Sequence, residues 1–117
     1  MLTSSEYINH DALGLAELVA TDQVTPTELL DIALSVCENL NPDINAVIRV
    51  MESEARAAIS RGVPQGSFSG VPYLFKDLTA MYAGVPTTNG SKFFKDNVPD
   101  YDTVTVERLK KSGLIIF

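Results

Sequence analysis

The stretch Gly70-Val71-Pro72-Tyr73-Leu74-Phe75-Lys76-Asp77 decides how this chain is read. It places a single lysine inside an otherwise apolar, strand-like run. Side chains alternate across a strand, so Val71, Tyr73, Phe75 and Asp77 are expected on one face and Pro72, Leu74, Lys76 and Leu78 on the other. Lys76 then sits between two leucines. If that face is buried, desolvation disfavours the ammonium, and a lysine that gives up its charge can act as a base. From the residues alone an alternative stays open, in which Lys76 snorkels from a strand end to water. Asp77 follows directly but points to the opposite face of a regular strand. It is expected to bond the backbone of the next turn and not Lys76.

Working outward, Thr25-Pro26-Thr27-Glu28 is a helix start, with a capping threonine, a proline in the first turn and a glutamate that closes a capping box. The helix that follows carries Leu29, Leu30, Ala33, Val36, Cys37 and Leu40 on one stripe. Asn41-Pro42 is expected to end it, because a residue before proline avoids the helical region. His10 to Ala20 also has helical spacing, and residues 1–9 read as a loose arm. Ile44 to Val50 reads as a strand rich in β-branched residues. Met51 to Ser60 reads as a helix with Glu52 and Arg56 paired across one turn. Gly62 to Gly66 is a loop, and Gly84 to Ser91 is turn-rich. Thr87, Thr88 and Ser91 there are candidates to line a site, with bonding of local backbone the expected role. Asp102 is expected to cap a last helix through Lys111, which Gly113 terminates, and Leu114 to Phe117 reads as a buried strand. The order of elements predicts an α/β layer with at least partly parallel strands.

The 117 residues suit one domain with a modest core. Fifteen acidic against nine basic side chains give a net charge of −6, which argues against nucleic-acid and anionic-membrane partners. The pairs Lys92/Lys95 and Lys110/Lys111 are read as solvated surface. No apolar run approaches the ~18 residues of a membrane span, and no signal peptide is visible at the N-terminus, so the expected location is the cytoplasm. One cysteine, Cys37, allows no intrachain disulfide and is read as a packed apolar group. One histidine, His10, and one cysteine make a zinc site a poor fit. A Ser-His-Asp triad would depend on His10 alone. Gly66-Ser67-Phe68-Ser69-Gly70 has Phe68 where a nucleophile elbow needs serine. There is no dinucleotide or Walker fingerprint.

The run continues as Ala83-Gly84-Val85-Pro86-Thr87-Thr88-Asn89-Gly90-Ser91-Lys92, then Pro99-Asp100-Tyr101-Asp102, then Gly113-Leu114-Ile115-Ile116-Phe117. In this order and spacing the chain resembles the N-terminal portion of an amidase-signature hydrolase, from about Leu13 to Phe117. Asn41-Pro42-Asp43-Ile44-Asn45-Ala46-Val47 together with Gly70–Asp77 most resembles the 6-aminohexanoate cyclic-dimer hydrolase branch. The resemblance implies a mixed sheet flanked by helices, incomplete in this chain. It implies hydrolysis of a linear or cyclic small-molecule amide by a Ser-Ser-Lys mechanism, with no metal and no organic cofactor. Lys76 alone matches the catalytic set, as the base acting through a relay serine, and both partner serines are expected beyond Phe117. The chain by itself is then expected to be inactive, with the missing C-terminal part of the same fold as its partner. A second reading in the same superfamily is the A subunit of the glutaminyl-tRNA amidotransferase. A third, outside enzymology, is a truncated remnant or partner-binding module, in which Ile115-Ile116-Phe117 would form an unpaired edge or docking surface.

Overall fold

The structure is a computed structural model that describes residues 2–117. Five helices and one two-stranded sheet are built from them: α1 (Ser4–Tyr7), α2 (Ala12–Ala20), α3 (Pro26–Ile44), α4 (Glu52–Ser60), β1 (Pro72–Tyr73), α5 (Val104–Lys111) and β2 (Ile115–Ile116). A single 3-10 turn, Lys92–Phe94, lies between β1 and α5.

The expected loose arm is partly ordered, and its first residue, Met1, lies outside the described residues. Thr3 and Glu6 form a capping box that starts α1, and Tyr7 packs against the core. Asp11 caps α2 by accepting the Gly14 N–H at 2.8 Å. The capping box of α3 forms as the sequence predicts: the Thr25 N–H donates to Glu28 Oε2 at 2.8 Å, and the Glu28 N–H donates to Thr25 Oγ1 at 3.2 Å. In α4, Glu52 meets Arg56 at 2.8 Å as expected, and Arg56 also reaches Asp31 of α3 at 2.7 Å.

Three expected boundaries are corrected. Asn41-Pro42 does not end α3, which runs on to Ile44 with Pro42 inside its last turn. Only one main-chain donor is lost this close to the end, and Asn45, left-handed at φ 48°, closes the helix by donating to the Asn41 carbonyl at 2.7 Å. Ile44 to Val50 is not a strand. The Asn41 side-chain amide bonds Val47 in both directions at 2.8 Å, so a side chain takes the place of a strand partner. Asp102 does not cap α5. Thr103 stands at that position without a side-chain cap, and the Asp102 carboxylate instead accepts from Ala83 N–H at 2.9 Å and from the Lys110 ammonium. Lys110 also lies 3.5 Å from the Tyr82 ring centre, so it is not the solvated side chain its sequence context predicts.

The sheet is parallel, with Pro72 opposite Ile115 and Tyr73 opposite Ile116. Ile115 N–H donates to Val71 O at 2.8 Å and Phe117 N–H to Tyr73 O at 3.2 Å. Pro72, which has no N–H, occupies the first strand position, where it removes no needed donor. The turn before β2 needs Gly113: its φ is +91°, and a Cβ there would lie 2.5 Å from Ser69 Cα. Three core clusters surround this pair. Leu15, Ala16, Val24 and Leu29 pack on Val71 and Leu114. Leu30, Ala33 and Ala55 pack on Ile115 and Phe117. Met51, Tyr82, Val85 and Val106 pack on Ile116. Leu114 to Phe117 therefore contributes to all three clusters. These four residues are only 9, 1, 4 and 7% exposed, so they are core of this chain and not the bare docking edge of the remnant reading.

Candidate functional site

The expected strand Val71–Asp77 is ordered as strand only at Pro72–Tyr73. The backbone bonds between the two strands run as far as Phe117 N–H to Tyr73 O. The two-faced pattern is not seen: Val71 and Pro72 are both buried, while Tyr73 and Leu74 are both exposed. Lys76 is exposed, and its flanking leucines, Leu74 and Leu78, are 44 and 45% exposed. The buried leucine face expected around Lys76 is therefore not formed by the described residues.

Lys76 nonetheless stands in the wall of a concave site. A cavity of about 320 Å³ opens between residues 46–51 on one side and 74–90 on the other. Its polar lining includes Arg49, Lys76, Asp77 and Thr87. Its apolar wall includes Met51, Tyr82 and Val85, members of one core cluster, and Phe117 of another. The apolar wall is thus packed core, and the polar lining residues lie on irregular backbone. Such a composition, mostly apolar with few polar groups, is that of a small-molecule site. Among the described residues Lys76 makes no ion pair and no side-chain hydrogen bond.

Asp77 does not pair with Lys76, in keeping with the sequence reading. One of its oxygens accepts the Thr88 N–H at 2.7 Å and the other accepts the Thr88 hydroxyl. Thr88 is therefore held by a residue eleven positions away, not by local backbone alone. Thr87 is buried, donates its N–H to Asn97 O at 2.9 Å, and accepts from Asn97 Nδ2 at 3.0 Å. Ser91 does act locally, accepting the Phe93 N–H at 3.2 Å. Ser69 is structural, tying Gly66 N–H and Pro64 O at 2.8 Å each. Arg49 and Asn97 carry no motif or periodicity that marks them in the sequence. His10 is exposed and Cys37 half-buried against the α3–α4 cluster. No group of three His, Cys, Asp or Glu residues among the described residues could hold a metal ion, and no helix there is long and apolar enough to cross a membrane.

Comparison with known proteins places this geometry in a family. The family model described as Amidase matches residues 28–117. The chain is 36% identical over 108 residues to the 6-aminohexanoate-cyclic-dimer hydrolase of Pseudomonas sp. strain NK87, covering 91% of this chain and 22% of that protein. It is 37% identical over 108 residues to the A subunit of the glutamyl-tRNA(Gln) amidotransferase of Bdellovibrio bacteriovorus, covering 87 and 22%. The fold matches the structure of a 6-aminohexanoate cyclic dimer hydrolase complexed with substrate, with a TM-score of 0.85 at 35% identity over 92% of this chain and 22% of that one. The chain belongs to the amidase family, whose solved members include amidase-signature enzymes. It spans about a fifth of the length of these relatives.

Proposed function

We propose that this chain carries the proton-accepting lysine of a cytoplasmic amide hydrolase, with Lys76 in that role. The observation that carries the reading is the position of Lys76: within the family-matched region, in the wall of a cavity, without an acid partner among the described residues. A lysine that must take up a proton is best left without a carboxylate, which would hold it charged.

In this reading the Lys76 amine takes the proton of a relay serine, which takes that of a nucleophilic serine. The serine oxygen bonds the amide carbon, the C–N bond breaks, and the amine leaves with the proton returned through the relay. Water then attacks the acyl ester and releases the carboxylic acid. Both serines are supplied by polypeptide beyond Phe117, and residues 1–117 alone do not hydrolyse amides. The partners are a small-molecule carboxamide, linear or cyclic, and the rest of the same fold. Similarity to a protein named as a cyclic-dimer hydrolase favours a cyclic amide as the first substrate to test. Similarity to a protein named as part of an amidotransferase makes the glutamine side-chain amide the second.

The test begins with the intact mass of the protein from its native locus. A mass several times that of the chain directs the assay to the long form, and a mass near that of the chain counts against catalysis. In the long form, Lys76→Ala is expected to abolish hydrolysis of the 6-aminohexanoate cyclic dimer while leaving thermal unfolding intact. Unchanged turnover would remove Lys76 from the mechanism.

A further inference from the structure

We propose that Asp77 is a positioning residue that fixes, through Thr88, the direction in which Lys76 leaves the cavity wall. The inference rests on the reading of Lys76 as proton acceptor, because a base must be aimed to work.

A chain of bonds runs outward from the core to this lysine. Thr87 is 3% exposed, and its main chain is locked to Asn97 by two bonds. Its neighbour Thr88 therefore presents its N–H and hydroxyl from a rigid base. Asp77 takes both, one with each carboxylate oxygen, in a two-point hold. Hydrogen bonds to an ionised carboxylate are the stronger kind, and two from one residue fix orientation as well as distance. On the other side of Asp77, Leu78 N–H donates to Lys76 O at 2.8 Å. That bond spans two residues, so Asp77 is the centre of a tight γ-turn and the Lys76 backbone cannot swing independently of it. A second clamp closes the same loop, from Thr79 N–H to Asn89 Oδ1 at 3.2 Å, between two residues with left-handed backbone at φ 65° and 50°. Phe75 packs against the Ile116 cluster on one side of the exposed Lys76, and the Asp77–Thr88 hold fixes the irregular backbone on the other.

Loop closure alone would also explain such bonds, and the test separates the two. Acetylation by an N-hydroxysuccinimide ester at fixed pH, mapped by peptide mass, reads each lysine of the chain, with Lys92 and Lys95 as references. Thr88→Val keeps the Asp77 charge and the Thr88 N–H and removes only the hydroxyl. It is expected to change the Lys76 rate by about threefold relative to the references, the scale of one lost hydrogen bond. Asp77→Asn is expected to change it more, and Thr88→Ser, which keeps the hydroxyl, to restore the wild-type rate. An unchanged Lys76 rate in folded Thr88→Val overturns the proposal. Amide hydrogen exchange in the unsubstituted protein tests it without a variant. Protection of Leu78 N–H is expected, and free exchange there overturns the tether. Failure of the underlying reading looks different: hydrolysis would survive Lys76→Ala while the labelling result stood.

Discussion

Tyr7 packs against the two core clusters that flank α3, although it lies in a segment whose sequence reads as a loose arm. Burial pushes its phenol above the ordinary value of 10.0, because the phenolate is the form that loses hydration. Below about pH 10 the phenol is neutral in folded and unfolded chains alike, and no stability difference arises. As pH rises past that value the unfolded chain ionises first. Stability is therefore expected to fall until the folded phenol also ionises. Urea unfolding midpoints between about pH 9 and 11 should show this loss in the wild type. Tyr7→Phe should flatten it, and an unchanged slope in Tyr7→Phe would assign the loss to other groups. The same scale explains Lys76. The cavity around Lys76 is lined largely from elsewhere in the chain, by Arg49, Thr87 and Phe117 among others, while its neighbour Asp77 is turned to Thr88.

At the scale of elements, α3 is the scaffold on which two of the three clusters form, and its start is the best-determined local feature of the chain. Thr25 and Glu28 satisfy each other's backbone donors. Bonds from the Thr25 N–H first, then its hydroxyl, hold the Glu28 carboxyl below its ordinary value of 4.5. A depressed carboxyl contributes stability that is present above the ordinary value and is lost as pH falls through the depressed one. Glu28→Gln is expected to weaken that acid-side dependence between about pH 5 and 3, read by urea unfolding. Thr25→Ala is expected to cost about 1 kcal/mol at neutral pH, the usual effect of losing an N-cap. No loss in Thr25→Ala would mean that Pro26 and packing alone start the helix.

For the whole molecule, the decisive segment is Leu114–Phe117. Each cluster contains at least one of its side chains, and its backbone supplies the only sheet partner for β1 among the described residues. Ile115 is 1% exposed at the centre. Ile115→Ala is expected to cost about 2–5 kcal/mol and Ile115→Val about 1 kcal/mol, by lost transfer and residual cavity. Against the ~5–15 kcal/mol of a typical domain, the alanine change removes a large part of the total. Denaturant unfolding monitored by circular dichroism reads both. Equal effects of the two substitutions would show that the clusters do not depend on this strand.

What the sequence by itself determined are the features governed by neighbours within a few residues. The capping box at Thr25–Glu28, the Glu52–Arg56 pair, the Leu29, Leu30 and Ala33 part of the α3 stripe (Leu40 is 56% exposed) and the stop at Gly113 each follow from i to i+4 geometry or from one φ angle. The resemblance to the amidase family is legible too, because it lies in the order of short motifs. What only the tertiary structure decided are the features that need a partner far along the chain. Ile44–Val50 has strand composition, but a strand exists only when another backbone meets it, and the Asn41 side chain meets it instead. Pro42 stays inside α3 because its lost donor falls in the final turn. Asp102 passes over the helix beside it for Ala83 and Lys110. The exposure of Lys76 also departs from the sequence expectation: regular strand covers only Pro72–Tyr73, and alternation across a strand does not carry over to the irregular backbone that bears Lys76.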